Sequence, residues 1–170
     1  ASGLVGVWAR ENTREQIFAA MQRREVFATT GTRMRMRMFA SWNFTADDLA
    51  APDLSRTGYG RGVPMGADLP GSGRAPTMLI EAMRDPDGAN LDRIQIVKGW
   101  VGADGVTHEK VYDVAWSGNR RLGRHGRLPP VGNTVRGASY RNSIGAPVLN
   151  GYWSDPDYSP GQRAFYYARV

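Results

Sequence analysis

Six residues of strict alternation constrain this chain more than any other stretch. Arg33, Arg35 and Arg37 interleave with Met34, Met36 and Met38, and only an extended strand turns that two-residue period into one apolar and one charged face. A helix would scatter the same side chains around its axis. The alternation predicts a half-buried β-strand, with methionines on a core and arginines toward water or a partner. Just upstream the period is helical. Asn12 and Glu15 read as a capping box, and Ile17, Phe18 and Met21 fall on one face of a helix over Thr13 to Arg24. Val26 to Thr30 is β-branched and aromatic, hence a short strand that Gly31 breaks.

The remaining chain reads as strands joined by turn-rich links. Gly3 to Ala9 is short and apolar, a strand or a packed loop, and Thr45 is placed to cap a single helical turn. Long loops are predicted at 45–76 and 117–147, with Gly62 to Gly66 as a turn that returns an apolar side chain to the core. Strands are predicted at Thr77 to Met83, Arg93 to Val101, His108 to Trp116, Val148 to Trp153 and Arg163 to Val170. Asp85 to Gly88 supplies a turn, and Asp104-Gly105 closes a hairpin. Phe165, Tyr166 and Tyr167 put rings on both faces of the last strand, which predicts that it is central or covered on both sides. The expected fold is mainly β: an immunoglobulin-like β-sandwich preceded by one α-helix and a short strand, with a barrel as the alternative. Ending on a strand without a polar tail, the sequence reads as a piece cut from a longer chain.

Charge bears on partners. The formal net charge is +6, and every basic residue except Lys98 and Lys110 is arginine. That balance suits an anionic small molecule. Nucleic acid is not expected, because the densest basic run lacks the aromatic platforms that stack bases. With no cysteine, disulfides and thiolate metal sites are excluded. No apolar run approaches the roughly 20 residues of a membrane span.

Two clusters could bind a ligand. The hairpin brings Lys98 near His108, Glu109 and Asp113, either as a site with a histidine acid or base or as cross-strand charge pairs on a solvated face. Arg120, Arg121 and Arg124, in a glycine-rich loop with His125 and Arg127, could fork onto phosphate or sulfate, or could simply be solvated. The paired aspartates at 47–48, 85–87 and 155–157 follow turn chemistry and do not fit a calcium loop. No metal ligand and no catalytic residue is assigned.

The strings GLVGVWARENTREQIFAAMQRREVFATTGTRMRMRMF, GVPMGADLP, GANLDRIQIVKGW, THEKVYDVAWSG, LPPVGNTV and DPDYSPGQRAFYYARV resemble the C-terminal part of bacterial proteins in the domain-of-unknown-function family 3604. Proteins of that family resemble polymerase-and-histidinol-phosphatase metallohydrolases, whose distorted barrel holds two or three divalent metals. The resemblance implies that residues 1–31 form the helix-strand tail of an upstream barrel domain and residues 32–170 a β-sandwich. The metal ligands of such barrels lie in His and Asp clusters. His108 and His125 each stand alone here, so no ligand is carried over. A divalent metal is implied only for the longer protein, phosphate or sulfate esters are its expected substrates, and a periplasmic or secreted location is expected. The alternative is a stand-alone binding module for an anionic or carbohydrate ligand.

Overall fold

The computed structural model describes residues 3–170. The fold is mainly β, with several antiparallel sheets and two helices. β1 (Leu4–Val7) and β2 (Val26–Thr29) pair antiparallel and enclose α1 (Arg14–Gln22) in sequence. β3 (Arg35–Ser41) follows, then a 3₁₀ turn at Ala46–Ala50, α2 (Leu54–Arg61), β4 (Val63–Pro64) and β5 (Thr77–Met83). β6 (Arg93–Val101) and β7 (Thr107–Trp116) form the hairpin. β8 (Val135–Arg136) and β9 (Ser139–Tyr140) make a small ladder, and β10 (Val148–Ser154) and β11 (Ala164–Arg169) complete the chain order.

Two sheets share one core. The first has the order β10-β5-β3-β4 and the second β11-β6-β7. Met38, Met78, Ile80 and Leu149 from the first and Ile94 and Ile96 from the second belong to the same buried cluster. Met65 joins it, so the glycine-flanked turn at 62–66 does return an apolar side chain to the interior. The immunoglobulin-like arrangement expected for these strands is not established by this topology.

The Arg/Met alternation survives with a gradient. Met38 is buried, Met34 and Met36 are half-buried against the core, and Arg33 and Arg35 are exposed. Arg37 departs from the pattern. It is half-buried, its guanidinium lying 3.6 Å over the Trp8 ring. Trp8 also donates from its indole N–H to the Met36 carbonyl at 3.0 Å, tying the β1-α1-β2 unit to β3. Beyond Met38 the strand is covered on both faces, because Phe39 points away from the inter-sheet core into a second cluster with Phe44, Leu54 and Leu79.

That second cluster is capped by α2, which corrects the expectation of an irregular loop across 45–76. Asp53 starts the helix by accepting from the Ser55 and Arg56 amides at 2.9 and 3.0 Å. Two glycines hide it in the sequence. One of them, Gly58, is required by packing: a Cβ there would lie 2.3 Å from the Phe39 ring. The loop 117–147 likewise contains a short ladder, β8-β9. At the other helix, Thr13 rather than Asn12 is the cap, accepting from the Gln16 amide at 3.3 Å. Only Ala20 of α1 is buried, whereas Phe18 and Met21 lie exposed instead of facing the core. The reason is that the helix meets the domain through its small residue.

The final strand is also unlike its expectation. β11 is a sheet edge, pairing with β6 alone. Its inner face, Tyr166 and Ala168, packs on the core, while Phe165 and Tyr167 on the outer face are exposed. Aromatic rings on both faces therefore did not mean cover on both faces.

α1 stops two residues earlier than expected, in a Schellman motif. Arg24 donates to the Met21 carbonyl at 2.9 Å and Glu25 to the Ala20 carbonyl at 3.0 Å. This places Arg24 at φ 60°, a left-handed conformation in which a side chain costs roughly 1–2 kcal/mol relative to glycine. Arg24→Gly is accordingly expected to raise stability by about 0.5–1 kcal/mol. An increase in the urea midpoint without a change in slope would report it.

Candidate functional site

The period of a strand decides what the predicted hairpin cluster can do. In β6-β7 the opposed pairs are Trp100↔His108, Lys98↔Lys110 and Ile96↔Tyr112, then, past them on the other face, Gly99↔Glu109 and Gln95↔Asp113. Opposed residues share a face. Lys98 and His108 therefore lie on the inner face and Glu109 and Asp113 on the outer one, so the four do not form one site.

Each takes a separate role. Lys98 is fully buried, and its Nζ donates to Asp155 Oδ2 at 2.7 Å and to the Asp157 carbonyl at 2.8 Å. Tyr166 donates to the same Asp155 oxygen at 2.7 Å. Asp155 is itself buried, which corrects its assignment to turn chemistry alone. Lys110 and Tyr112 both donate to Asp157 at the rim. These two bonds hold the Asp157 carboxyl below the ordinary range, the lysine contributing most. Burial, then the bond to Asp155, pushes the Tyr166 hydroxyl far up, so it stays protonated. His108 stacks on Trp100, ring centroids 5.2 Å apart and planes 16° from parallel. Glu109 is exposed. Asp113 accepts from Arg93 at 3.3 Å, Gln95 at 2.7 Å and the Leu128 amide at 2.8 Å.

The predicted arginine loop also divides. Arg120 is drawn inward, donating to Asp92 Oδ1 at 2.6 Å, to the Asp92 carbonyl at 2.8 Å and to the Pro129 carbonyl at 2.8 Å. Its fork is consumed in closing the loop over the β6 entrance. Arg121 and Arg124 are exposed. Among the described residues no group of three or more His, Cys, Asp or Glu side chains gathers where it could hold a metal ion, and no helix is long and apolar enough to cross a membrane.

At the turn end of the hairpin, Trp100, His108 and Glu109 line a cavity of about 620 Å³ together with Arg163 and Phe165. Two further cavities lie between the edges of the two sheets. The first, of about 630 Å³, is lined by Met38, Ala40 and Met78 from the first sheet and by Ala164 and Tyr166 from β11, with Trp42 and Tyr158 also on its wall. The second, of about 620 Å³, is lined by Met34 just before β3, Met36 and Met38 on β3, Phe27 on β2, and Tyr166 to Val170 on and after β11. Both include Arg24, Met38, Met65, Gly66 and Tyr166, so they adjoin. Volumes of this size are those of small-molecule sites. The Arg/Met alternation did anticipate one wall. The edge position of β11 and the left-handed Arg24 carry no comparable sequence signal.

Among known families, the one described as Protein of unknown function (DUF3604) matches residues 1–170. No curated protein and no solved structure matches the chain.

Lys98→Met would leave the Asp155 carboxylate buried and unpaired, so a loss of about 3–5 kcal/mol in urea unfolding is expected. Lys98→Met combined with Asp155→Leu should lose less, because no uncompensated charge remains. A pH effect follows at Asp92. Burial would raise its carboxyl, but bonds from Arg120, Arg93 and the Val131 amide outweigh that and hold it low. A depressed carboxyl stabilises above its unfolded value, near 3.9. The Arg120 clamp should therefore loosen as pH falls below about 4, measurable as lost amide protection at Val131, and Asp92→Asn should show that loss at neutral pH.

Proposed function

The chain belongs to the DUF3604 family, and on that premise we propose that it is the β-rich, non-catalytic segment of a metal-dependent hydrolase-like protein whose metal-binding barrel lies upstream. One observation carries the reading. The β1-α1-β2 unit presents Leu4, Val5, Phe18 and Met21 to solvent, at 44, 70, 60 and 53% exposure. Large exposed apolar side chains on so small a unit are what a surface packed against another domain provides. The same unit is locked to the sandwich through Trp8, so it is suited to fix an upstream domain relative to the sheets. The use of ionisable groups supports the non-catalytic half. Asp48, Asp92, Asp113 and Asp155 each sit in an ion pair with an arginine or lysine, which is a structural use. Esters of phosphate or sulfate are the proposed substrates of the whole protein, by the family resemblance alone. The second reading, a stand-alone module for an anionic ligand, is favoured by Arg24 and Arg163 on the walls of the first cavity.

The experiment compares residues 1–170 with the protein extended through its upstream sequence. The shorter chain, given zinc, manganese or iron, should not turn over phosphate or sulfate esters, and the longer one should. Phe18→Glu with Met21→Glu in the longer protein should separate one unfolding transition into two. Stoichiometric metal and turnover by the short chain, lost on changing His108 or His125, would overturn the proposal.

A further inference from the structure

The two adjoining cavities have a chemistry of their own, separate from the docking surface on α1. We propose that they form one groove that binds an elongated apolar anion, an alkyl carboxylate or sulfate of medium chain length. Its charged end would rest on Arg24 and its chain along the methionine wall of β3.

Four observations converge. The cavities share five lining residues, so a ligand can pass from one into the other. Their common wall is methionine, at positions 38 and 65, extended by Met34 and Met36 in the second cavity. Unbranched thioether side chains adapt to a flexible alkyl chain better than branched ones do. Charge selects the sign of the ligand. Arg24 and Arg169 are the only charged side chains among residues lining the second cavity, and Arg169 is turned onto the Gln95 side-chain oxygen at 2.7 and 2.9 Å. Arg24 makes no ion pair among the described residues. Besides Arg24, the first cavity is lined by Asp68 and Arg163, whose charges offset, whereas no acidic side chain lines the second.

The fourth observation is the backbone of Arg24. It holds φ 60° at the C′ position of a Schellman motif, where glycine carries no Cβ penalty. A side chain kept in a disfavoured conformation points to a use for that side chain, and here the residue borders both cavities. Along β11 the second cavity runs from Tyr166 to Val170, roughly 13 Å at about 3.3 Å per residue. A dodecyl chain spans that length.

The backbone strain also supplies a clean test, since Arg24→Gly removes the cation while relaxing the fold. Dodecanoate, kept below its micellar concentration, would be titrated into the 170-residue chain by calorimetry, with tryptophan fluorescence reporting Trp42 on the first cavity wall. Dodecyltrimethylammonium serves as the cationic control. One dodecanoate per chain is expected, at least tenfold tighter than the cation. Arg24→Gly should weaken dodecanoate about tenfold with an undiminished urea midpoint, as loss of one charge-assisted contact predicts, and Arg24→Lys should retain most of the affinity. Equal affinity for the two amphiphiles, unchanged affinity in Arg24→Gly, or no saturable binding would each overturn the proposal.

Discussion

A lysine ammonium sealed between two sheets sets the terms for the rest of this fold. Lys98 stands on the inner face of β6, where its neighbours in alternation are Ile94, Ile96 and Trp100. An unpaired charge in that layer would be prohibitive. Asp155, just after β10, supplies the counter-charge, the Asp157 carbonyl a second acceptor, and Tyr166 of β11 satisfies the same carboxylate. The segment joining β10 to β11 must therefore dip between the two sheets. Asp155 is fixed further by its backbone N–H, which donates to the carbonyl of Pro76 just before β5. One buried pair thus correlates both sheets and the connection between them, and this geometric specification is the best-attested use of such pairs.

How far the sequence anticipates this depends on the range of the interactions involved. The β6-β7 hairpin follows from a local turn and two alternating runs, and its register holds from Val101↔Thr107 to Gln95↔Asp113 before one irregularity. The β3 alternation is equally local. The hairpin cluster divides because paired strands carry two faces, and Glu109 and Asp113 fall on the one opposite Lys98 and His108. α2 was hidden because Gly58 looks like a helix breaker, whereas a ring from β3 demands it. Asp155 has the local signature of a turn, and its amide pattern is indeed turn-like, with Asp157 donating to its side chain at 2.9 Å. Only the distant Lys98 reveals its second role. The groove needs two sheet edges brought together, a property of topology that no short stretch encodes.

The arginine excess acquires a structural meaning. Much of the chain is glycine-rich connection whose carbonyls lack ladder partners, and guanidinium forks supply donors to them. Arg84 donates to the carbonyls of Asp85, Pro86 and Gly88 and so braces one turn. Arg93 and Arg120 converge on Asp92 and on the Pro129 carbonyl, and Arg61 bridges Asp48 and the Asn43 carbonyl. Five donors in a rigid plane suit this work, and an ammonium would not replace them one for one. The positive charge is distributed by such local needs and does not gather into a stripe.

The free side of β11 has a consequence for the chain in crowded solution. An unpaired strand edge bearing Phe165, Tyr166 and Tyr167 is a template on which another chain can extend a sheet. The strand is short, and Arg163 and Arg169 bracket it with like charge. Two cations flanking a hydrophobic run act as gatekeepers, because stacking identical strands would bring their guanidinium groups together. The exposed edge is thereby kept open to a partner of different composition while pairing with its own kind is discouraged.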